Sequence, residues 1–215
     1  RDYATVQQAI DAADPRSTIH VEHGTYDPVI INKSLTIIGE SPDNTIIDGK
    51  GAGTVILITA GNAYIRGFKV QNGNIGVKIS DSRGNVVISN VITNNDRGVF
   101  LSNCTDNTIA SNTIRDNNYG IALDLSDRNF IGRNTASKNL YGIDMRFSKN
   151  NTVTCNNLDS NVNDGLLLYS SRQNVVMRNI LKLNGRNGIY LQHSFDNVLS
   201  RNSFINNTNQ LFQYD

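Results

Sequence analysis

Two aspartates, an arginine, two tyrosines and a histidine stand at matching offsets from a repeated glycine, and together they could bind or cleave a sugar. Asp124 follows Gly120 by four residues; Asp144 and Arg146 follow Gly142 by two and four. Tyr169 is four after Gly165, while Tyr190, Gln192 and His193 are two, four and five after Gly188, and Phe100 is two after Gly98. A carboxylate can serve as acid, base or cation ligand, and an arginine can grip a uronate carboxylate through two parallel hydrogen bonds. Aromatic rings offer apolar faces to sugar rings. The candidate catalytic set is therefore Asp124, Asp144 and Arg146, and the candidate substrate-binding set is Phe100, Tyr169, Tyr190, Gln192 and His193.

The elements that position these residues follow from an internal repeat. Glycines 76, 98, 120, 142, 165 and 188 are spaced by 22 or 23 residues. Asparagine returns nine residues after each one (Asn85, Asn107, Asn129, Asn151, Asn174, Asn197), again five further on, and again five beyond that. Apolar residues recur one and three places after each glycine, from Val77 and Ile79 to Ile189 and Leu191, and once in each later segment. This predicts three short strands per coil, each burying alternate side chains. A unit of about 22 residues with no helix cannot cover its own apolar face and must stack on copies of itself, as a parallel β-helix does. Equivalent residues then stand above one another about 4.7–4.9 Å apart. A corner asparagine can satisfy turn backbone and bond the asparagine of the next coil, giving an asparagine ladder. Glycine marks a corner where a side chain does not fit or where positive φ is wanted.

The first residues have a different texture. Val6, Ala9, Ile10 and Ala13 fall at helical spacing, so residues 1–14 are expected to form a short helix capping the open end. Residues 15–73 alternate apolar runs with turn signals and are expected to form irregular first coils, with regular repeats over 74–215. The closing NNTNQLFQYD shows no polar cap, which leads to the expectation of a fragment of a longer protein. Asparagine makes up roughly one residue in seven, far above average usage, as such corners demand. Formal net charge is +1, so no global field recruits nucleic acid or an anionic membrane, and no apolar run approaches a membrane span.

The text Y-x-T-V-Q-Q-A-I-D-A-A, I-x-V-x-x-G-T-Y, K-S-L-T-I-I-G and T-I-I-D-G, followed by G-[IV]-x-L-x-x-S-x-x-N-x-I-x-x-N repeats, resembles NosD-type proteins and carbohydrate-binding and sugar-hydrolase (CASH) domains, which are pectin-lyase-like. The resemblance covers nearly the whole chain and implies an all-β, right-handed parallel β-helix. It also implies export to the periplasm, the cell surface or the medium. Related polysaccharide enzymes use a groove along the first sheet, the side to which the candidate residues belong.

The resemblance to NosD implies copper, but His20, His23, His193, Met145 and Met177 are scattered along the chain, and soft copper ligands must cluster. Calcium is admitted, yet it takes six to eight oxygen ligands, more than Asp124 and Asp144 supply. As diagonal neighbours in adjacent coils, these two aspartates could stand about 6.5–9.5 Å apart, which permits an inverting glycosidase without indicating one. The aspartate-proline-histidine-aspartate signature of mannuronan epimerases is not found. Asp124 and Arg146 share a column, so a simple cross-strand ion pair is expected between them. Phe100, Leu125, Phe147, Leu167 and the tyrosines could equally form a dry face for self-association.

A second outward column is read in Ser89, Ser111, Arg133, Cys155, Arg178 and Arg201, either solvated or a strip for an anionic polymer. Cys104 replaces serine in a small-residue column and is read as structural filler. Asn-x-Ser/Thr triplets at Asn32, Asn103, Asn150 and Asn206 are permitted glycosylation sites. Together these features point to an exported β-helix that binds extended carbohydrate or a cell-envelope partner on a strand face. The alternatives are a polysaccharide hydrolase or lyase using the aspartate pair, and a structural spacer or NosD-like accessory domain.

Overall fold

A computed structural model of the chain describes residues 3–214. Helix Val6–Ala12 opens with the Thr5 hydroxyl accepting a hydrogen bond from the Gln8 amide, and it buries Val6, Ala9 and Ile10. Gln7 on the same helix exchanges hydrogen bonds with the backbone of Ile30, its Oε1 accepting at 2.8 Å and its Nε2 donating at 3.3 Å. Strand Val29–Ile31 is the outer strand of its sheet, so the glutamine amide occupies an edge that another chain could otherwise pair with.

The chain then winds through nine coils that build three nine-stranded, wholly parallel sheets. The first sheet runs from Thr18–Val21 to Val198–Ser200, the second from Gly24–Tyr26 to Ser203–Ile205, and the third from Val29–Ile31 to Asn209–Tyr214. The coils between Thr18 and Gln71 belong to these same sheets. The third sheet carries the longest strands, among them Arg97–Ser102, Tyr119–Asp124 and Tyr141–Arg146. Its register stacks Val99 on Ile121 and Leu101 on Leu123, so the residues one and three after each glycine line the interior. Val77, Ile79, Val99, Leu101, Ile121, Leu123, Ile143 and Met145 are all at most 1 % exposed.

The corners solve a polar problem, because a buried turn must find partners for its amides. Asn112 shows how. Its Oδ1 accepts from both the backbone N–H (3.0 Å) and the Nδ2 (3.2 Å) of Asn90 in the coil before, while its own Nδ2 donates to Val87 O at 2.9 Å and to Asn134 Oδ1 at 3.1 Å. The same pattern links Asn107 to Asn129 and Asn117 to Asn139. The repeated glycine is needed for space: a Cβ on Gly98 would lie 2.6 Å from Gly120 O and 2.8 Å from Ile114 Cγ2. Cys104 is buried in the serine column, its Sγ donating to the carbonyls of Ile79 and Ser102.

Between these asparagines and glycines, the chain bends on residues in the left-handed region. In the coil around Gly120 they are Leu125 (φ 49°), Arg128 (55°), Arg133 (57°) and Lys138 (57°). Ser89, Ser111, Arg133, Cys155, Arg178 and Arg201 form the second outward column, and it runs along a corner, with φ between 54° and 57°. All six are exposed, which leaves the stacked arginines solvated.

Replacing Asn112 by alanine leaves the buried Asn90 N–H without its acceptor and removes the side-chain donor to the Val87 carbonyl. The expected loss is about 2–4 kcal/mol of unfolding free energy, measured by denaturant titration. Asn118→Ala, which removes an exposed contact to Asp96, is expected to cost about 0.5 kcal/mol or less.

Candidate functional site

On the outer face of the third sheet one column reads Phe100, Ala122, Asp144, Leu167, Tyr190 and Phe212, each directly above the last. Alanine is the small member. The space above it is a groove of about 250 Å³, walled by Phe100 on one side and Asp144 on the other, with Arg97, Tyr119, Asp124, Arg146 and Phe147 around it.

Asp144 is only 3 % exposed, although it lies on the outward face. Ala122 and Leu167 flank it in its column, so its charge needs a partner on its own strand. Arg146, two residues on and on the same face, supplies one: Nε donates to Oδ2 at 3.1 Å and Oδ1 at 3.2 Å, and Nη2 donates to Oδ2 at 2.9 Å. The expected pair between Arg146 and Asp124 is thereby corrected. The two residues are in register, but the arginine turns to the buried carboxylate and leaves the half-buried, better hydrated Asp124.

Burial pushes the Asp144 carboxyl above its ordinary value and outweighs the opposing pull of the Arg146 hydrogen bonds. The same pair raises the Arg146 guanidinium, whose side chain is 47 % exposed. Asp164, in a neighbouring coil, is also raised by burial, and its Oδ1 accepts from the Asn187 amide and Nδ2.

Three residues of this region escaped the sequence reading. The guanidinium of Arg97 lies 4.5 Å from the centroid of the Phe100 ring and 5.7 Å from that of Tyr119, which itself stacks on Tyr141 at 5.4 Å and 11°. Among the described residues no carboxylate is in ion-pair reach of Arg97. All three precede a repeated glycine, and the strands start at that position, one residue earlier than the glycine. Two tyrosines 22 residues apart were the available signal.

The remaining candidates lie outside the groove. Tyr169 packs edge-on between Phe147 (5.5 Å) and His193 (6.1 Å), and His193 continues to Tyr214 (5.8 Å). Tyr190 meets Phe212 at 5.4 Å, and Gln192 is stacked between Tyr169 and Tyr214 in register. The structure thus gathers Phe100, Asp124, Asp144 and Arg146 in one groove and places Tyr169, Tyr190, Gln192 and His193 in the coils beyond it.

Residues 33–215 match the family model described as periplasmic copper-binding protein (NosD). The chain belongs to the NosD family. No curated protein matches it by sequence. Among solved structures it is similar to an alginate lyase from Paenibacillus sp. str. FPU-7, with 17 % identity, TM-score 0.79, and coverage of 97 % of this chain and 95 % of that one. It is similar to pectate lyase Pel9A, with 14 % identity, TM-score 0.72, and coverage of 96 % and 71 %. It is also similar to the catalytic domain of a GH87 alpha-1,3-glucanase in complex with nigerose, with 14 % identity, TM-score 0.76, and coverage of 93 % and 43 %. At such identities the likeness shows the fold, a right-handed parallel β-helix.

The family description implies copper, and the donors of this chain do not fit it. Met145 and Cys104 are sealed in the core, and Cys155 is exposed at a corner. His20 stands in the first coil and His193 near the last. Among the described residues no three His, Cys, Asp or Glu side chains come together as metal ligands, whether for copper or for calcium. No helix among them is long and apolar enough to cross a membrane.

The raised Asp144 carboxyl sets a sign for stability. The folded chain binds this proton more tightly than the unfolded chain, so its contribution is full below the ordinary carboxylate pKa and is lost as pH rises through the raised value. Thermal melts of the wild type and Asp144→Asn from acid to neutral pH are expected to diverge over that window, with the variant gaining relative to the wild type as pH rises. Parallel curves would show that Asp144 titrates normally.

Proposed function

We propose that this chain is an exported β-helix that binds an acidic polysaccharide in the groove over Ala122. The observation that carries this reading is Arg97. A guanidinium held over the Phe100 ring and near Tyr119 is preorganised, and with no carboxylate in ion-pair reach among the described residues it can take one from a ligand. A uronate ring resting on Tyr119 and Phe100 would present its carboxylate to Arg97, while Asp124 and Asp144 accept sugar hydroxyls. Arg146, engaged by Asp144, acts as a positioning residue for that carboxylate. The similar structures named for alginate and pectate support an acidic polymer, since both are polyuronates. The family's periplasmic description supports export. In this reading copper takes no part.

One observation favours a second reading, cleavage. The buried Asp144 carboxyl, raised above its usual range, is suited to giving a proton to a departing glycosidic oxygen, with Asp124 as the second carboxyl.

Affinity electrophoresis through gels containing polygalacturonate, alginate or a neutral glucan separates these readings. The wild type is expected to be retarded by the acidic polymers only. Arg97→Ala is expected to weaken binding about tenfold, and Ala122→Leu, which fills the groove from an outward position, is expected to abolish it. Equal retardation by the neutral glucan, or none by any polymer, would overturn the proposal. Release of new reducing ends or unsaturated products that Asp144→Asn abolishes would establish cleavage instead.

A further inference from the structure

Around the corner from the groove lies a larger open cavity of about 550 Å³, lined by Leu125, Phe147, His193 and Phe195 with Lys149 and Arg172 among the polar residues of its wall. Leu125, Phe147 and His193 occupy one corner column, five residues after the repeated glycine, at φ 49°, 50° and 47°. Leucine and phenylalanine rarely adopt this left-handed conformation, whereas asparagine, aspartate and histidine tolerate it. Earlier coils of the same chain turn the same corner with Asp81 (φ 50°) and Asn103 (φ 53°). The fold therefore needs no bulk at this column. Asn103 and Ser170 (φ 47°), the latter between Phe147 and His193, also stand in this column and line the cavity, so its bulk comes from Leu125, Phe147 and His193 alone.

These side chains are not there to fill the core. Leu125 is 59 % exposed, Phe147 51 % and Phe195 54 %. They are held in place, since Phe147 and His193 both pack edge-on against Tyr169. The polar lining carries Asp127, Lys149 and Arg172. Lys149 is engaged by Asp127, through a backbone hydrogen bond of 2.9 Å and an ion pair of 3.8 Å, while among the described residues no carboxylate is in ion-pair reach of Arg172. Phe147 borders both this cavity and the groove over Ala122.

We infer that the corner continues the binding track, so that one acidic saccharide chain runs from Arg97 over Phe147 to Arg172. This inference rests on the reading proposed above. Leu125 and Phe147, in adjacent coils about 4.8 Å apart, offer an aliphatic and an aromatic face that suit the apolar faces of two successive sugar rings. The unpaired guanidinium suits a second carboxylate farther along the same chain, and it is what favours a saccharide over a purely apolar partner.

Calorimetry with a galacturonate trimer and an octamer tests the track. The wild type is expected to bind the octamer more tightly than the trimer. Arg172→Ala is expected to weaken the octamer about tenfold and leave the trimer unchanged, whereas Arg97→Ala weakens both. Leu125→Asn is expected to weaken the octamer while raising the melting temperature, because asparagine accepts the left-handed backbone; a purely structural role for Leu125 would not move the two readouts in opposite directions. If Arg97→Ala weakens both oligomers but Arg172→Ala changes neither, the track is overturned and the groove stands. If neither oligomer binds the wild type, both readings fall. A dimer in solution that Leu125→Asn dissociates, with octamer affinity indifferent to Arg172→Ala, would assign the corner to a second copy of the chain.

Discussion

A buried asparagine oxygen that accepts two N–H groups from the coil before it is the interaction on which the rest of this molecule depends. Asn139 Oδ1 takes the backbone amide of Asn117 at 3.0 Å and its Nδ2 at 3.1 Å, and the arrangement recurs at three corners through successive coils. Each such amide is sealed from water, so displacing it strands several polar groups at once. A slip of the register by one residue would break all three corners together and turn every strand's apolar residues outward. The outer columns inherit this precision. Phe100, Ala122 and Asp144 stand in line because the asparagines do.

With the corners and interior committed, chemistry is left to the outward columns, and the groove is made there by one omission. Ala122 supplies no bulk between two larger neighbours, and its strand neighbours supply polar groups of unequal freedom. Asp144 loses water to its column and is bound by Arg146; Arg97 keeps its guanidinium uncommitted on an aromatic bed. Because Arg146 is nearly half exposed, solvent screens its attraction for Asp144, and the desolvation of the carboxyl prevails. The ion pair is therefore better understood as orienting Asp144 than as stabilising the coil.

The period, the inward residues and the need for glycine were legible in the sequence because each is repeated, and repetition exposes what stacking demands. Val99, Ile121 and Ile143 are buried where alternation puts them. Side-chain choices made once were less legible. Sharing a column with Asp124 suggested one partner for Arg146, but same-face neighbours on a strand are also within an arginine's reach, and desolvation of Asp144 decided the matter. Arg97, Tyr119 and Tyr141 were missed because the strands begin one residue before the glycine that marks the repeat. That Arg133 and Cys155 bend into the left-handed region was not legible, because alternation shows only that they point outward.

Coils of the same fold thus carry lyases and a glucanase at 14–17 % identity to this chain, and stacking offers a physical reason. In a solenoid each coil touches only its neighbours, so an outward substitution is felt locally and the asparagine corners are indifferent to it. Asp81 and Asn103 turn the same corner as Leu125 and Phe147 with nearly the same dihedral, which shows how little the fold constrains that column. A position free of the fold's demands that nevertheless carries a conformationally costly residue is the most informative kind in such a chain. By that criterion Leu125 and Phe147 point beyond the needs of the fold more clearly than any of the asparagines.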